Sequence, residues 1–146
     1  MTCEQVMTRD PQCCVPGDSA ARVAKIMRIE DVGSVPVCRS RDSRTLVGIV
    51  TDRDLALEVV AEGRDPNGTR VQDIMTREPF TCRPDEDVET AVRRMESNQV
   101  RRIPVVDNNG LLVGIIAQAD IATRTQDAQK TAQVVEQISK PSGARL

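Results

Sequence analysis

The stretch Gly48-Ile-Val-Thr-Asp-Arg-Asp54 decides the fold, because it has the form of a buried strand, a polar turn and the first turn of a helix. A second copy is present as Gly114-Ile-Ile-Ala-Gln-Ala-Asp120. Such a junction places a carboxylate beside a helix N-terminus at the end of a strand, where open α/β units often bind ligands. The sequence therefore predicts two equivalent candidate sites, one in each copy.

An internal repeat surrounds these two stretches. Val6-Met-Thr-Arg-Asp-Pro11 recurs as Ile74-Met-Thr-Arg-Glu-Pro79, and Val32-x-x-x-Pro36-Val37 recurs as Val100-x-x-x-Pro104-Val105. The spacing between the copies changes only at a turn, which carries the hairpin signal Asn109-Gly110 in the second copy. A length change confined to a turn indicates the duplication of one structural unit.

Each copy has the same order of predicted elements. A short strand is followed by an amphipathic helix, for which Asp18 and Asp85 are the candidate N-caps. Two further strands and a second helix complete each copy. The predicted strands are 13–15, 34–38 and 46–50 in the first copy and 81–83, 103–106 and 111–117 in the second.

The predicted division of the chain is a first repeat over 1–63, a polar linker over 64–70, a second repeat over 71–125, and a C-terminal helix and tail over 126–146. The C-terminal helix is predicted to reach about Ser139. A half of about 60 residues is marginal for an independent core. We therefore predict an α/β (α+β) fold in which the halves pack sheet to sheet as a pseudo-two-fold pair.

Composition argues against several classes of function. The formal net charge is −2 without a run of like charges, which does not favour binding to nucleic acid or to an anionic membrane. No apolar run is long enough to span a bilayer, and the N-terminus lacks the pattern of a signal peptide. We expect a cytoplasmic protein.

The chain has five cysteines and no histidine. Histidine-based catalysis is thus excluded, a zinc site is poorly supplied with ligands, and we expect no catalytic residues, no metal site and no enzyme activity. The cysteines are expected to be small buried residues in a reducing compartment. A redox role for the adjacent Cys13 and Cys14 is a minor alternative.

Taken together, these motifs resemble the CBS domain, and residues 3–125 resemble a tandem CBS pair, or Bateman module. Residues 62–67 and the stretch Val100-Arg-Arg-Ile-Pro104 also resemble the small stand-alone CBS proteins of bacteria. The resemblance implies a β-α-β-β-α unit in each half, two clefts between the halves, and a homodimer that forms a four-CBS disc.

The resemblance also implies an adenosine-containing ligand. AMP, ADP and ATP come first, S-adenosylmethionine and NAD rank lower, and no cofactor is required. By position, Asp54 and Asp120 would bind ribose hydroxyls, and Thr51 would lie near the phosphates. Ala117 replaces that hydroxyl in the second copy, which weakens the case for a phosphate there.

Residue chemistry supports these roles and leaves alternatives open. A carboxylate can accept both hydroxyls of a vicinal diol, yet Thr51-x-x-Asp54 is also a capping-box pattern. Arg53 and Arg102 could hold a phosphate or could simply be solvated. Phe80 could line an adenine pocket or pack in a core.

Two function hypotheses follow. The first is a regulatory or sensor module that binds an adenine nucleotide and signals to a regulated protein partner by a change of conformation or dimer state. The alternative is a ligand-free dimeric scaffold or stress-response protein that acts through protein partners. Under the alternative, Asp54 only begins a helix.

Overall fold

Two repeats of helices and strands follow one another in the computed structural model, which describes residues 1–124. The first half contains α1 (Cys3–Val6), β1 (Thr8–Arg9), α2 (Ala20–Glu30), β2 (Ser34–Ser40), β3 (Ser43–Thr51) and α3 (Asp52–Leu55), which continues as a π-helical turn (Ala56–Val60). The second half contains a 3-10 turn (Val71–Asp73), β4 (Thr76–Arg77), α4 (Val88–Ser97), β5 (Arg102–Val106) and β6 (Leu112–Ala117). Residues 118–124 are helical, and the remainder of the predicted C-terminal helix lies outside the described residues.

The strands form two three-stranded antiparallel sheets, and each repeat completes the sheet of the other. One sheet has the order β2-β3-β4, and the other has the order β1-β6-β5. In the first sheet Thr76 of β4 pairs with Ile49. In the second sheet Thr8 of β1 pairs with Ile115. The predicted mixed α and β fold is confirmed, and the exchange of the two short Met-Thr strands is an addition to it.

Glycine at the head of each decisive stretch permits this exchange. A Cβ atom on Gly48 would lie 2.9 Å from the carbonyl oxygen of Thr76, and a Cβ atom on Gly114 would lie 3.0 Å from that of Thr8. Cβ atoms essentially never lie within 3.0 Å of another heavy atom, and the Cβ atom on Gly114 would also lie 2.8 Å from Cγ of Met7. The crossing strands therefore require glycine at both positions.

Two hydrophobic cores reflect the same exchange. The first core joins side chains of α2, β2 and β3 to Val71 and Ile74 from the beginning of the second repeat. The second core joins side chains of α4, β5 and β6 to Cys3 and Val6 from α1. Neither repeat has a complete core without the other, as expected for halves of about 60 residues.

The prediction of Asp18 and Asp85 as helix N-caps is wrong. Ser19 caps α2, and its hydroxyl oxygen accepts a hydrogen bond from a first-turn amide at 3.1 Å. Asp87 caps α4 in the same way. Asp18 instead stabilises the preceding turn, since its carboxylate accepts the Val15 amide at 3.0 Å.

The short first strand predicted in each copy is a single-residue bridge instead. Cys14 pairs in parallel with Val37, and Cys82 pairs in parallel with Val105. In both copies a proline follows two residues later, and proline has no N–H with which to extend the ladder. Within residues 1–124, no helix has the length and apolar character needed to cross a membrane.

Candidate functional site

A cleft between the two repeats contains five of the six predicted binding residues. The cavity has a volume of about 290 Å³. Thr51, Arg53 and Asp54 line one side of it, at the junction of β3 and α3. Phe80 and Arg102 line the other side, before and at the beginning of β5. We call this cavity the first cleft.

Thr51 and Asp54 form the capping box that the sequence pattern allowed. Oδ2 of Asp54 accepts the Thr51 amide at 2.9 Å, and Oγ1 of Thr51 accepts the Asp54 amide at 3.1 Å. Among the described residues, none donates a hydrogen bond to Oδ1 of Asp54. A carboxylate oxygen has two lone-pair sites, so the cap leaves an acceptor available at the cleft.

The basic and aromatic side chains differ in exposure. Arg53 is exposed, whereas Arg102 is half-buried. A Cβ atom on Gly33 would lie 3.0 Å from Nη1 of Arg102, so the guanidinium packs over the backbone of the first repeat. Phe80 is 53% exposed, which places its ring at the rim of the cleft and removes the core alternative.

A second cavity of about 270 Å³ lies around the equivalent motif of the second repeat. Asp120, the sixth predicted residue, lines it together with Ala117 and Arg102. No hydrogen bond to the Asp120 carboxylate is made by residues 1–124, and Ala117 offers no hydroxyl beside it. We call this cavity the second cleft.

Ser34 and Arg102 line both clefts. Ser34 is only 4% exposed, and its hydroxyl has no hydrogen-bond partner within the described part of the chain. A buried hydroxyl without a partner is unfavourable by about 1–3 kcal/mol. A polar ligand group that reached Ser34 would remove that cost.

The internal repeat aligns Ser34 with Arg102, but the sequence alone does not assign Ser34 to a site. The signal was the repeat itself, which places Gly33-Ser34 where the second copy has Arg101-Arg102. Equivalent positions of the two repeats meet between the clefts. A residue that is predicted to bind a ligand in one copy therefore indicates that its counterpart in the other copy also lines a cleft.

The two clefts differ in charge. Three arginines and two aspartates line the first cleft, which leaves it net positive. One arginine, one glutamate and one aspartate line the second cleft, which leaves it net negative. The first cleft is therefore the better environment for a phosphate. No cluster of three potential metal ligands occurs within residues 1–124.

The family model of the CBS domain matches residues 3–61 and 71–126. YlbB of Bacillus subtilis is 36% identical over 137 residues, which are 94% of this chain and 90% of that protein. Hypoxic response protein 1 of Mycobacterium tuberculosis is 30% identical over 140 residues, which are 96% of this chain and 95% of that protein.

Solved structures give the same result. The crystal structure of hypoxic response protein 1 with two coordinated zinc ions has a TM-score of 0.76 at 30% identity, covering 84% of this chain and 98% of that one. CBSX2 in complex with AMP has a TM-score of 0.74 at 26% identity, and the match covers 88% of this chain and 98% of that one.

A third structure is the CBS domain pair of MJ0100 in complex with 5-methylthioadenosine and S-adenosyl-L-methionine. It has a TM-score of 0.78 at 25% identity, and the match covers 88% of this chain and 98% of that one. The resemblance predicted from the repeated motifs is thus confirmed by the family model and by these structures. This chain belongs to the CBS domain family and contains the domain twice.

Proposed function

We propose that this protein is a non-catalytic regulatory module that binds an adenosine-containing ligand in the clefts between its two CBS repeats. The observation that carries the proposal is the open Oδ1 of Asp54 in a cavity that Arg102 and Phe80 also line. These three groups match the ribose, phosphate and base of a nucleotide. The AMP bound to CBSX2 and the adenosine compounds bound to MJ0100 support this class of ligand.

Each residue of the first cleft has a role suited to its chemistry. Oδ1 of Asp54 accepts a hydrogen bond from a ribose hydroxyl. The Thr51 hydroxyl accepts the Asp54 amide, so its proton is available for a phosphate oxygen. Arg53 and Arg102 supply positive charge to the phosphates, and the exposed ring of Phe80 offers a face on which adenine stacks.

The first cleft is the proposed site for AMP, ADP or ATP. Its net positive lining favours a phosphate, whereas the second cleft has Ala117 in place of the hydroxyl and two acidic residues against one arginine. We assign Asp120 to the ribose of a ligand with little or no negative charge. S-adenosylmethionine and NAD rank below the adenine mononucleotides.

Signalling would follow from the fact that the cleft is built from both repeats. A ligand that contacts Asp54 and Arg102 together favours the arrangement in which these residues are closest. It shifts the equilibrium only by its difference in affinity for the two arrangements. We propose that this change, or a change in a homodimer of four CBS domains, is what a regulated protein partner reads.

Two observations favour a second candidate function. The capping box already engages Thr51 and Asp54, and Ile29 and Val60 are 74% and 76% exposed. Together they fit a ligand-free dimeric scaffold, in which these residues begin a helix and the apolar surface binds protein partners. Binding measurements separate the two functions.

A thermal-shift panel with AMP, ADP, ATP, NAD and S-adenosylmethionine tests the proposal. A ligand at 100 times its Kd stabilises the protein by about 2.7 kcal/mol, which raises the Tm of a domain of this size by about 5–10 °C. We expect that shift in the wild type and in Asp120→Asn for the phosphate-bearing ligands. A folded wild type that shows no shift with any of the five supports the scaffold.

A further inference from the structure

Cys13 differs from the other four cysteines because its side chain is only partly buried. Its neighbour Cys14 is fully buried, its thiol donates to the Pro36 carbonyl at 3.6 Å, and burial raises its pKa to about 12. Successive side chains of an extended segment point to opposite sides. The adjacent pair Cys13-Cys14 therefore does not act as one dithiol, and Cys14 is inert.

A guanidinium group is held against the Cys13 sulfur. Nη1 of Arg44 lies 3.6 Å from Cys13 Sγ. Two carbonyl groups fix the same guanidinium, since Nη2 donates to Pro11 at 3.2 Å and Nε donates to Leu112 at 3.4 Å. Arg44 forms no salt bridge with a carboxylate of residues 1–124. Its positive charge is thus directed at the thiol.

Cys38 lies on the neighbouring strand β2, where its amide donates to the Cys14 carbonyl at 2.8 Å and Val37 pairs in parallel with Cys14. Because side chains alternate along both segments, the buried Cys38 thiol lies on the same face as the Cys13 side chain, where it can donate a hydrogen bond to Cys13. This hydrogen bond, with the charges of Arg44 and Arg41, lowers the pKa of Cys13 to about 6, against the opposing effects of burial and of Asp18. Cys38 is the donor, and holding its proton against Cys13 raises its own pKa. The pair thus contains one thiolate and one thiol near neutral pH.

We propose that Cys13 and Cys38 form a modification site for low-molecular-weight disulfides, in which Cys13 is the attacking thiolate and Cys38 is the resolving thiol. A partly exposed thiolate beside a fixed cation is the environment of a reactive cysteine. A second thiol in contact with it is the arrangement of redox-sensitive pairs. Neither cysteine lines a cleft, and the site does not depend on the proposed function.

The chemistry balances in two exchange steps. The Cys13 thiolate attacks one sulfur of the disulfide, a mixed disulfide forms, and the first small thiolate leaves. Loss of the negative charge on Cys13 removes the main reason for the raised pKa of Cys38. The Cys38 thiol then gives its proton to water. The Cys38 sulfur attacks Cys13, the second small thiolate leaves, and the two cysteines have passed two electrons to the disulfide.

Alkylation of the folded full chain with limiting iodoacetamide tests the first step, with each cysteine followed by peptide mass spectrometry. We expect Cys13 to react first, with a midpoint near pH 6. At pH 6.5 its rate should be roughly five-fold above that of an ordinary thiol, after allowance for the weaker nucleophilicity of a low-pKa thiolate. Arg44→Gln should raise the midpoint, while the exposed Arg39→Gln should not. A Cys13 rate equal to that of the unfolded chain, or unchanged in Arg44→Gln, overturns the site.

Oxidised glutathione tests the second step. We expect a Cys13–Cys38 disulfide in the wild type, detected by a peptide map without reductant as a loss of two hydrogens. Cys13→Ser should abolish all modification, and Cys38→Ser should retain glutathione on Cys13. If Cys38→Ser fails to fold, the peptide map of the wild type still tests the pairing of Cys13 with Cys38. A lasting mixed disulfide in the wild type overturns the resolving role of Cys38, and a Cys13–Cys14 bond overturns the pairing.

Discussion

Ser34 and Arg102 occupy equivalent positions of the two repeats, and both line both clefts. The buried Ser34 hydroxyl lacks a partner in the described part of the structure, and the Arg102 guanidinium lies over Gly33 of the opposite repeat. A phosphate in either cleft would draw on the same two groups. The geometry thus favours one strongly bound phosphate per chain.

Replacing Arg102 should separate phosphate binding from base and ribose binding. A hydrogen bond to a charged group contributes about 1.5–3 kcal/mol, so Arg102→Ala should weaken AMP binding by roughly 10–100-fold. Adenosine, which has no phosphate, should bind about equally to both proteins. Isothermal titration calorimetry checks this, with the exposed Arg93→Ala as the control. Equal losses for AMP and adenosine would mean that Arg102 shapes the cleft and does not hold the phosphate.

Replacing Ser34 should affect stability and binding in opposite directions. Ser34→Ala removes a buried hydroxyl that has no partner, so stability should stay the same or rise by up to about 1–2 kcal/mol. Nucleotide binding should weaken. Urea denaturation and ligand titration of the same samples give both values. As a control, Ser19→Ala removes a helix cap and should cost about 1 kcal/mol; a similar loss in Ser34→Ala would contradict the assignment.

Adding one methyl group to Gly48 should weaken the exchanged sheet. The new Cβ atom would lie 2.9 Å from the Thr76 carbonyl oxygen, so Gly48→Ala should destabilise the protein by about 1–3 kcal/mol. The control is Gly17→Ala, whose Cβ atom would meet its nearest neighbour, Arg70, at 3.7 Å. Chemical denaturation measures both. Equal stability of the two variants would contradict the close passage of β4 over Gly48.

The ion pair of Glu86 and Arg94 should produce a pH-dependent contribution to stability. Hydrogen bonds from Arg94 lower the pKa of Glu86 from 4.5, so the stabilisation is present above that value and is lost as the pH falls through the lower folded-state pKa. Both side chains are partly exposed, which limits the effect to less than about 1 kcal/mol.

Glu86→Gln should therefore lower the Tm slightly at pH 7 and make no difference at pH 2. The exposed Glu89→Gln, which has no such partner among the described ion pairs, serves as the control. Thermal unfolding at the two pH values measures the difference. A larger effect at pH 2 than at pH 7 would reverse the assigned sign.

The repeat was the part of the structure that the sequence predicted well, because two copies give every motif an independent check. The exchange of β1 and β4 was not predicted. Period-two patterns indicate a strand but not the sheet that it joins, and Gly48 and Gly114 acquire their meaning only when a second strand passes over them.

The misassigned caps and the missed Ser34 have local causes. Gly17-Asp18-Ser19 contains two adjacent residues that favour N-caps, and only the bond from the Val15 amide to Asp18 shows which one the turn uses. Ser34 is an ordinary strand residue in sequence. Its buried, unpartnered hydroxyl becomes evident only when the two clefts are seen to share it.

Isothermal titration calorimetry of AMP, ADP and ATP into the wild type and Asp54→Asn tests the central claim most directly. The amide oxygen of asparagine can still accept the Thr51 amide, so the variant should remain folded, but its NH2 group cannot accept a ribose hydroxyl. We predict saturable binding of at least one of the three nucleotides to the wild type and a loss of at least about ten-fold in Asp54→Asn. No binding to the folded wild type, or equal affinity in both proteins, would contradict nucleotide recognition by Asp54.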